Sequence, residues 1–500
     1  MIAKQLIEPK SIVVVGGSDD VHKPGGAVLR NLQDGNFKGS LYVVNPKMDE
    51  VQGIKACRDV KDLPEVDCAI LAIAAKFCPS TVEVLAKQKN TKAFIILSAG
   101  FHEENEEGAK LERQIVETVN SVGGSLIGPN CIGVLTNHYS GVFTSPIPEL
   151  NPQGVDLISG SGATALFIMD SGMQKGIKFN SMYSVGNSAQ LGVEEILEYM
   201  DESFDPKTSS RVKLLYVESI EKPKKLLKHA SSLIRKGCRI AAVKSGGSAA
   251  GSRAASSHTG ALASSDVAVE ALFRKAGIVR CNGRDELMTV AGIFMHPEMK
   301  GRNMAVVTHA GGPAVMLTDA LSNGGMDVPH IEGEKAQELL AKLFAGSSVG
   351  NPIDFLATGT AEQLGYILDA CDRDFDNIDG MAVIFGSPGL FPVFDVYNVL
   401  DEKMKTSKKP IFPIFPSSKI VKDEIAEFVS KGRVYFPDEV LFGNALCKIY
   451  KTPAPQPEHF EMPDMDVKKI REVVDNAQNG YLSPDEIHAL LDAAGVARAK

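Results

Sequence analysis

A single imidazole, His258, stands near the middle of Ser245–Ser265, a stretch in which 17 of 21 residues are glycine, serine or alanine. The only other bulky polar member is Arg253. Such a stretch has little side-chain volume to pack and much backbone freedom, so it reads as a loop that carries a group, not as core. Histidine switches protonation near neutrality and its ring nitrogen can accept a phosphoryl group, which makes His258 a candidate nucleophile. Glu218 closes the apolar run that begins at Leu214. A carboxylate there can hold one imidazole N–H and fix the tautomer, leaving the other nitrogen to attack. Ser159-Gly-Ser161-Gly162 precedes an apolar helical pattern, so free N–H groups and the positive end of a helix dipole would face an anion. Ser184-Val-Gly-Asn187 and Lys244-Ser-Gly-Gly247 end two further runs, and all four strand ends are expected to converge on one crevice holding phosphate beside an acid.

The elements that must position these residues are legible as alternating patterns. From residue 11 short β-branched runs (Ser11–Val15, Leu41–Val44, Cys68–Ala72, Ala93–Leu97, Ser125–Ile127) alternate with helical stretches at Gly25–Asp34, Pro79–Gln88 and Glu104–Ser121. Continuous hydrophobic runs joined by helical crossovers denote parallel strands covered on both faces. A second such series begins at Val155, with helical patterns at Gly192–Met200 and Pro223–Arg235, and a third follows Gly301, with helices at Pro313–Ser322 and Ala361–Ala370. The expected organisation is therefore three α/β units, at 1–145, 146–295 and 296–451. A proline-rich linker at 452–466 follows, and then a new unit from 467. In the last stretch Ser483-Pro-Asp-Glu486 is an N-terminal capping signal and Gly495 a C-terminal one. A helix pair buries no core alone, so 467–500 reads as the opening of a further domain.

Composition narrows the classes. With 500 residues, 44% of them hydrophobic, and a net charge of −9, the chain is multidomain and globular, and a polybasic nucleic-acid-binding protein is excluded. Its 8 cysteines form no C-x-x-C pair and no zinc-spaced cluster with histidine, so no metal site is expected and the thiols are read as reduced, in a cytoplasmic setting. No apolar run approaches the roughly 20 residues of a membrane span, and the N-terminus lacks the pattern of an export signal.

The first strand feeds Gly16-Gly17-Ser18, and Lys23-Pro-Gly-Gly26 opens a helix, a small-residue turn suited to a nucleotide phosphate. The spacing is not the dinucleotide fingerprint. Moreover, the second strand ends in Asn45-Pro46-Lys47, where an acid would be needed to bind an unphosphorylated ribose. Lysine there favours a phosphorylated one.

Gly128-Pro-Asn-Cys-Ile-Gly133, Ser159-Gly-Ser-Gly162, the Gly186–Gln190 segment and above all Ser256-Ser-His-Thr-Gly-Ala-Leu262 resemble the NDP-forming acyl-CoA synthetases, which include ADP-forming acetyl-CoA synthetase and the succinyl-CoA synthetase α subunit. The likeness runs through residues 5–450. It implies an N-terminal Rossmann-like CoA-binding domain followed by two flavodoxin-like doubly wound parallel-sheet domains. It also implies an acid–thiol ligase interconverting acyl-CoA, ADP and phosphate with a carboxylic acid, ATP and CoA through an acyl phosphate. By this resemblance Gly16, Ser18, Lys23, Asn45, Pro46 and Lys47 surround the CoA nucleotide, with Ser98, Gly100 and Asn130 nearer the thioester. His258 matches the phosphohistidine, Glu218 its hydrogen-bonding partner, and Ser159, Ser161 and Gly162 the phosphate site. The 3′-phosphate of CoA agrees with Lys47. ADP or ATP and Mg2+ are expected on an ATP-grasp region, fused C-terminally or on a separate β subunit, whose start residues 467–500 resemble; an oligomer is expected. Asn351-Pro-Ile-Asp354 matches a family signature read as structural. Gln190 stands where aspartate is frequent, and His309, where asparagine is, reads as a satisfied turn residue. A CoA-binding regulatory module and part of a protein acyltransferase are the alternatives.

Overall fold

The computed structural model describes residues 2–35, 37–259, 265–387, 392–457, 464–478 and 480–497, with the side chains of 255–259 outside that description. Residues 1–455 form one compact unit and 456–500 another. In the first unit, strands β1 (Ser11–Val15), β2 (Ser40–Val44), β3 (Glu50–Val51), β4 (Ile54–Cys57), β5 (Cys68–Leu71), β6 (Ala93–Ile96) and β7 (Ser125–Ile127) make a sheet of order β3-β4-β2-β1-β5-β6-β7. All its pairings are parallel except the β3–β4 hairpin. A second sheet combines β8 (Gly133–Leu135), β9 (Ser140–Val142), β10 (Leu150–Ser159), β11 (Phe179–Ser184), β12 (Val212–Val217), β13 (Arg239–Lys244) and β14 (Val279–Cys281), in the order β14-β13-β12-β10-β11-β8-β9. The hairpin β8–β9 thus extends the second sheet, although it falls within the 1–145 span assigned to the first unit from sequence. The third sheet is β16-β15-β17-β18, built from β15 (Met304–Thr308), β16 (Ile353–Asp354), β17 (Gly380–Ile384) and β18 (Ile411–Ile414).

Each sheet reverses its winding once, between β1 and β5, β10 and β12, and β15 and β17. Beyond the carboxyl ends of such strand pairs the connecting loops diverge and leave a crevice, so three candidate ligand sites follow from the topology alone. The expected doubly wound class is what the chain adopts. Asn351 is structural: its Nδ2 donates to Met304 O at 3.0 Å and Pro329 O at 2.9 Å, and its Oδ1 accepts from Val306 N at 2.9 Å.

The sheets share cores. One apolar cluster runs from Ile132 through Phe179, Phe294, Phe412 and Phe436 to Cys447, crossing from the second sheet to the third, and another joins Ile12 and Ile70 of the first sheet to Leu215 and Ala242 of the second. Burying each such Phe or Leu contributes roughly 1.5–3 kcal/mol, so separating the sheets would be costly.

His296 lies at the first of these junctions, its ring tilted against Phe412 at 5.0 Å and Phe436 at 5.7 Å, with Nδ1 at 2.8 Å from Gly292 O. Its Nε2 is buried without a partner. Burial lowers its pKa from the ordinary 6.5 to about 4, with Arg433 and Arg239 adding to the effect and the Gly292 contact opposing it. Because the unfolded chain binds the proton first, this group's contribution is full above pH 6.5 and is lost as pH falls towards 4. That window is worth about 3 kcal/mol. Denaturant midpoints measured from pH 7 to 4 are expected to fall less steeply in His296→Leu than in the parent.

The linker region 453–457 carries no regular element, and 458–463 lie outside the described residues. In the second unit the helices Val467–Asn476 and Pro484–Ala493 pack together, and the latter opens with the expected capping box between Ser483 and Glu486. No described helix is long and apolar enough to cross a membrane.

Candidate functional site

At the switch point of the second sheet, β10 ends in Ser159 and β12 delivers Glu218 just beyond Val217, with Gly160 N–H bonded to Tyr216 O at 3.0 Å. The chain then turns at Ser161, whose hydroxyl caps the helix Gly162–Gln174 by accepting from Thr164 N at 3.3 Å. Ser159 Oγ closes the turn from inside, donating to Ser161 O at 2.7 Å, so its hydroxyl is spent on the backbone. A side chain at Gly162 would meet Ile132 Cγ2 at 2.5 Å, which explains the glycine. Gly160, Ser161, Gly162 and Ala163 line a cleft of about 690 Å³ that also holds Glu218 and Asn130. First-turn amides, a cap hydroxyl and a carboxylate around one cleft can bind a phosphate and steer an imidazole.

The opposite wall comes from the first sheet. Loop residues His102 and Glu103, following β6, meet Glu112 of the helix Glu106–Ser121 and Asn187 of the loop after β11. His102 Nδ1 lies 2.8 and 2.9 Å from the two Glu112 oxygens, and Asn187 Nδ2 donates to Glu103 at 2.5 Å and Glu112 at 3.2 Å. Burial works to raise the Glu103 carboxyl, but hydrogen bonds from Asn187, Gly100 and Phe101 together outweigh it and hold the group below the usual carboxylate range. Cys131 also lines the cleft, yet burial pushes its thiol up to about 12, so it is a protonated packing group and not a nucleophile at neutral pH.

At the first switch point Gly16 adopts φ +86, and a side chain at Gly25 would strike Gly16 O at 2.1 Å. The turn and the helix Pro24–Asp34 can approach only as glycines, leaving room for a diphosphate against the helix start. Ser18 Oγ accepts from Asp20 N at 3.1 Å, and Asn45 Nδ2 donates to Gly17 O at 2.8 Å, tying the β1 and β2 ends together. Lys23 and Lys47 are exposed beside them, and Arg58 donates to Pro46 O at 2.9 Å, adding a cation that no sequence motif marks. Gln52, at the tip of the β3–β4 hairpin, braces the turn by donating to Ser18 O at 2.7 Å and Gly26 O at 2.9 Å. This donor set fits the phosphorylated nucleotide of CoA. Ser98 Oγ donates to Ile73 O, and Gly100 N donates to Glu103 Oε1 at 2.7 Å, so these two residues shape the loop that presents His102 and Glu103.

The segment holding His258 departs from expectation: Ala249–Thr259 is a helix, not a loop. Its alanines favour the helix, and Ser248 Oγ accepts from Gly251 N at 3.0 Å at the start. The backbone of His258 belongs to this helix, whereas its side chain and residues 260–264 lie outside the described residues. The flanks are fastened: Lys244 Nζ donates to Gly246 O at 3.0 Å, and Arg280 pairs with Asp266 at 2.5 Å and Glu270 at 2.9 Å. Of the four strand ends expected to meet, those bearing Ser161, Asn187 and Glu218 line the cleft, and Lys244–Gly247 are not among its lining residues.

His309 is a satisfied turn residue. Its Nε2 accepts from Gly386 N at 2.9 Å, its ring lies tilted 4.4 Å from Phe385, and burial lowers its pKa, opposed by Asp354. Gln190 is likewise structural, accepting from Leu126 N at 2.6 Å and donating to Asn120 Oδ1 at 2.6 Å. The residues missed in the sequence are His102, Glu103 and Glu112. The one signal for His102 and Glu103 is their place in the loop after β6, while Glu112, in the body of the helix Glu106–Ser121, carries none.

Residues 10–137 match the CoA binding domain family, and residues 152–294 match the succinyl-CoA ligase-like flavodoxin domain family. The chain is 32% identical over 434 residues to the α subunit of acetate–CoA ligase [ADP-forming] II of Pyrococcus furiosus, covering 86% of this chain and 93% of that one. It is 35% identical over 381 residues to acetate–CoA ligase [ADP-forming] I of Archaeoglobus fulgidus, covering 75% of this chain and 54% of that protein. It therefore spans nearly all of the separate α subunit and about half of the longer relative. Among solved structures, the dinucleotide-forming acetyl-coenzyme A synthetase 1 of Ca. Korarchaeum cryptofilum, in complex with phosphate and ADP, superposes with a TM-score of 0.80 at 26% identity, over 89% of this chain and 96% of that one.

Proposed function

Because the chain belongs to the NDP-forming acyl-CoA synthetase family, we propose that it is the α-subunit-like portion of an ADP-forming acyl-CoA synthetase of the acetate–CoA ligase type, working through a phosphohistidine at His258. The observation that carries this reading is the meeting of the capped helix start at Ser161–Gly162 with Glu218 at one switch point, in a cleft whose far wall is the Asn130 loop of the CoA-type domain. In this reading Lys23, Asn45, Pro46 and Lys47 hold the CoA nucleotide, and Ser98, Gly100 and Asn130 flank the thioester. A phosphate oxygen, held by the amides of Gly162 and Ala163, attacks the acyl carbonyl, and the thiolate leaves as CoA. One nitrogen of His258, its ring oriented by Glu218 through the other, then attacks the phosphorus of the acyl phosphate, and the carboxylate leaves. ADP finally takes the phosphoryl group to become ATP. Positioning and charge stabilisation dominate such transfers.

The nucleotide step requires an ATP-grasp region, on a separate β subunit or fused beyond residue 467. Magnesium there would neutralise the nucleotide phosphates. The test is incubation of the protein with acetyl-CoA and radiolabelled phosphate. A protein-bound label, stable to base and labile to acid, is expected, and it should pass to ADP once the ATP-grasp partner is added. Absence of label across a panel of short acyl-CoA substrates would overturn the reading.

A further inference from the structure

The loop after β11 is stitched onto the loop after β7. Asn187 N donates to Pro129 O at 2.9 Å, Ala189 N donates to Gly128 O at 3.2 Å, and Gly186, at φ +52, lies so close that a side chain would meet Pro129 O at 2.2 Å. From this junction the Asn187 amide reaches two carboxylates, donating from Nδ2 to Glu103 Oε2 at 2.5 Å and to Glu112 Oε2 at 3.2 Å. Ionised carboxylates accept only, so both amide hydrogens must face them and Oδ1 must face away. There it accepts from Asn130 Nδ2 at 3.4 Å. The carboxylates are fixed in turn. Glu103 Oε1 accepts from Gly100 N at 2.7 Å, and Glu112 is held by His102. The amide flip of Asn187, and with it the direction of Asn130, is thus dictated by groups from two stretches of the first domain, the loop 100–103 and the helix bearing Glu112.

We propose that Asn187 is a positioning residue for the acyl half of the reaction, holding the Asn130 amide at the thioester end of the cleft in register with the Ser161–Gly162 phosphate site. This rests on the synthetase reading above. Asn187 belongs to the second domain and Asn130 to the first, and the two amides meet at their seam. The contact therefore fixes the part of the cleft that receives acyl-CoA, and it serves no group expected to touch the nucleotide.

The decisive variant is Asn187→Asp, which keeps the shape, removes both donors and sets a third carboxylate against Glu103 and Glu112. With the full chain and its ATP-grasp partner, His258 labelling is followed separately from acetyl-CoA with phosphate and from ATP. We expect Asn187→Asp to slow labelling from acetyl-CoA by about 100-fold and labelling from ATP by less than about 3-fold. Adding Glu103→Gln should recover at least about tenfold of the acetyl-CoA rate. In that double variant the amide oxygen at position 103 still accepts from Gly100, while the new NH2 group faces the carboxylate at position 187. Equal slowing from both donors, no slowing from either, or no recovery in the double variant would each overturn the assignment. A parent protein labelled from neither donor would instead overturn the synthetase reading on which it rests.

Discussion

His258→Ala is expected to lose the protein-bound phosphate completely and to reduce overall acyl-CoA synthesis by at least about 1000-fold, because in the proposed mechanism His258 alone carries the transferred group and removing a nucleophile typically costs several orders of magnitude. The scaffold should not register the change. Position 258 falls in the helix Ala249–Thr259, and alanine is the best helix former, so melting temperature and CoA affinity are expected to match the parent. That separation of readouts is what makes the experiment informative. Label retained in the alanine variant would mean that another residue carries the phosphate, and neither Cys131 nor His309 is suited to do so. The thiol is held protonated by burial, and the His309 Nε2 lone pair is spent on Gly386 N–H. Glu218→Gln provides the intermediate case: it keeps a hydrogen-bonding group at the end of β12 but removes the charge, so labelling should slow without disappearing.

Lys213→Met is expected to destabilise the fold by about 3–5 kcal/mol, the cost of leaving a buried carboxylate without its cation. Lys213 on β12 and Asp156 on β10 pair at 2.5 Å with side chains 2% and 3% exposed, in the middle of the second sheet. The pair is fully furnished. Asp156 also accepts from Ser181 Oγ at 2.6 Å and Asn180 Nδ2 at 2.7 Å, while Lys213 donates to Ser210 O at 2.7 Å. Methionine fills the volume of the lysine stem, so the loss isolates the charge rather than a cavity. The double variant Lys213→Met/Asp156→Leu removes the orphaned carboxylate and should regain most of the stability, as hydrophobic replacement of complete buried pairs often does. Urea unfolding of parent, single and double variants provides the comparison. A single variant within about 1 kcal/mol of the parent would show that water or rearrangement rescues Asp156, contrary to the enclosure seen here.

The parts of this architecture that could be read from the chain are those where one physical demand dominates. Parallel strands covered on both faces must be continuous apolar runs, and β1, β5 and β6 all lie within such runs. Pro223 and the polar–apolar period after it marked the helix Pro223–Arg235 to the residue. Where two demands compete the reading slipped. Glycine and serine argued for a loop at 249–259, but consecutive alanines and a serine cap favour a helix. The β3–β4 hairpin, with strands of two and four residues around Gly53, is too short to show a period. Glu218, Ser161 and Gly162 could be nominated because each sits at a strand end with recognisable chemistry, and Asn130 only through the family resemblance. By contrast, Glu103 and Glu112 acquire meaning only by meeting Asn187, 84 and 75 positions further along the chain. No local pattern encodes that encounter.

The two fastenings beside the histidine segment, Lys244 on Gly246 and Arg280 on Asp266, turn it into a tether of known contour. Nineteen residues lie between those moorings, so even fully drawn out at roughly 3.3 Å per residue the midpoint travels no more than about 30 Å from its root. Apolar clusters shared between neighbouring sheets hold that root in place. In the mechanism proposed above, the nucleotide phosphates would have to come inside this circle, whether the ATP-grasp region is fused or separate, which turns the search for that region into a question of docking distance.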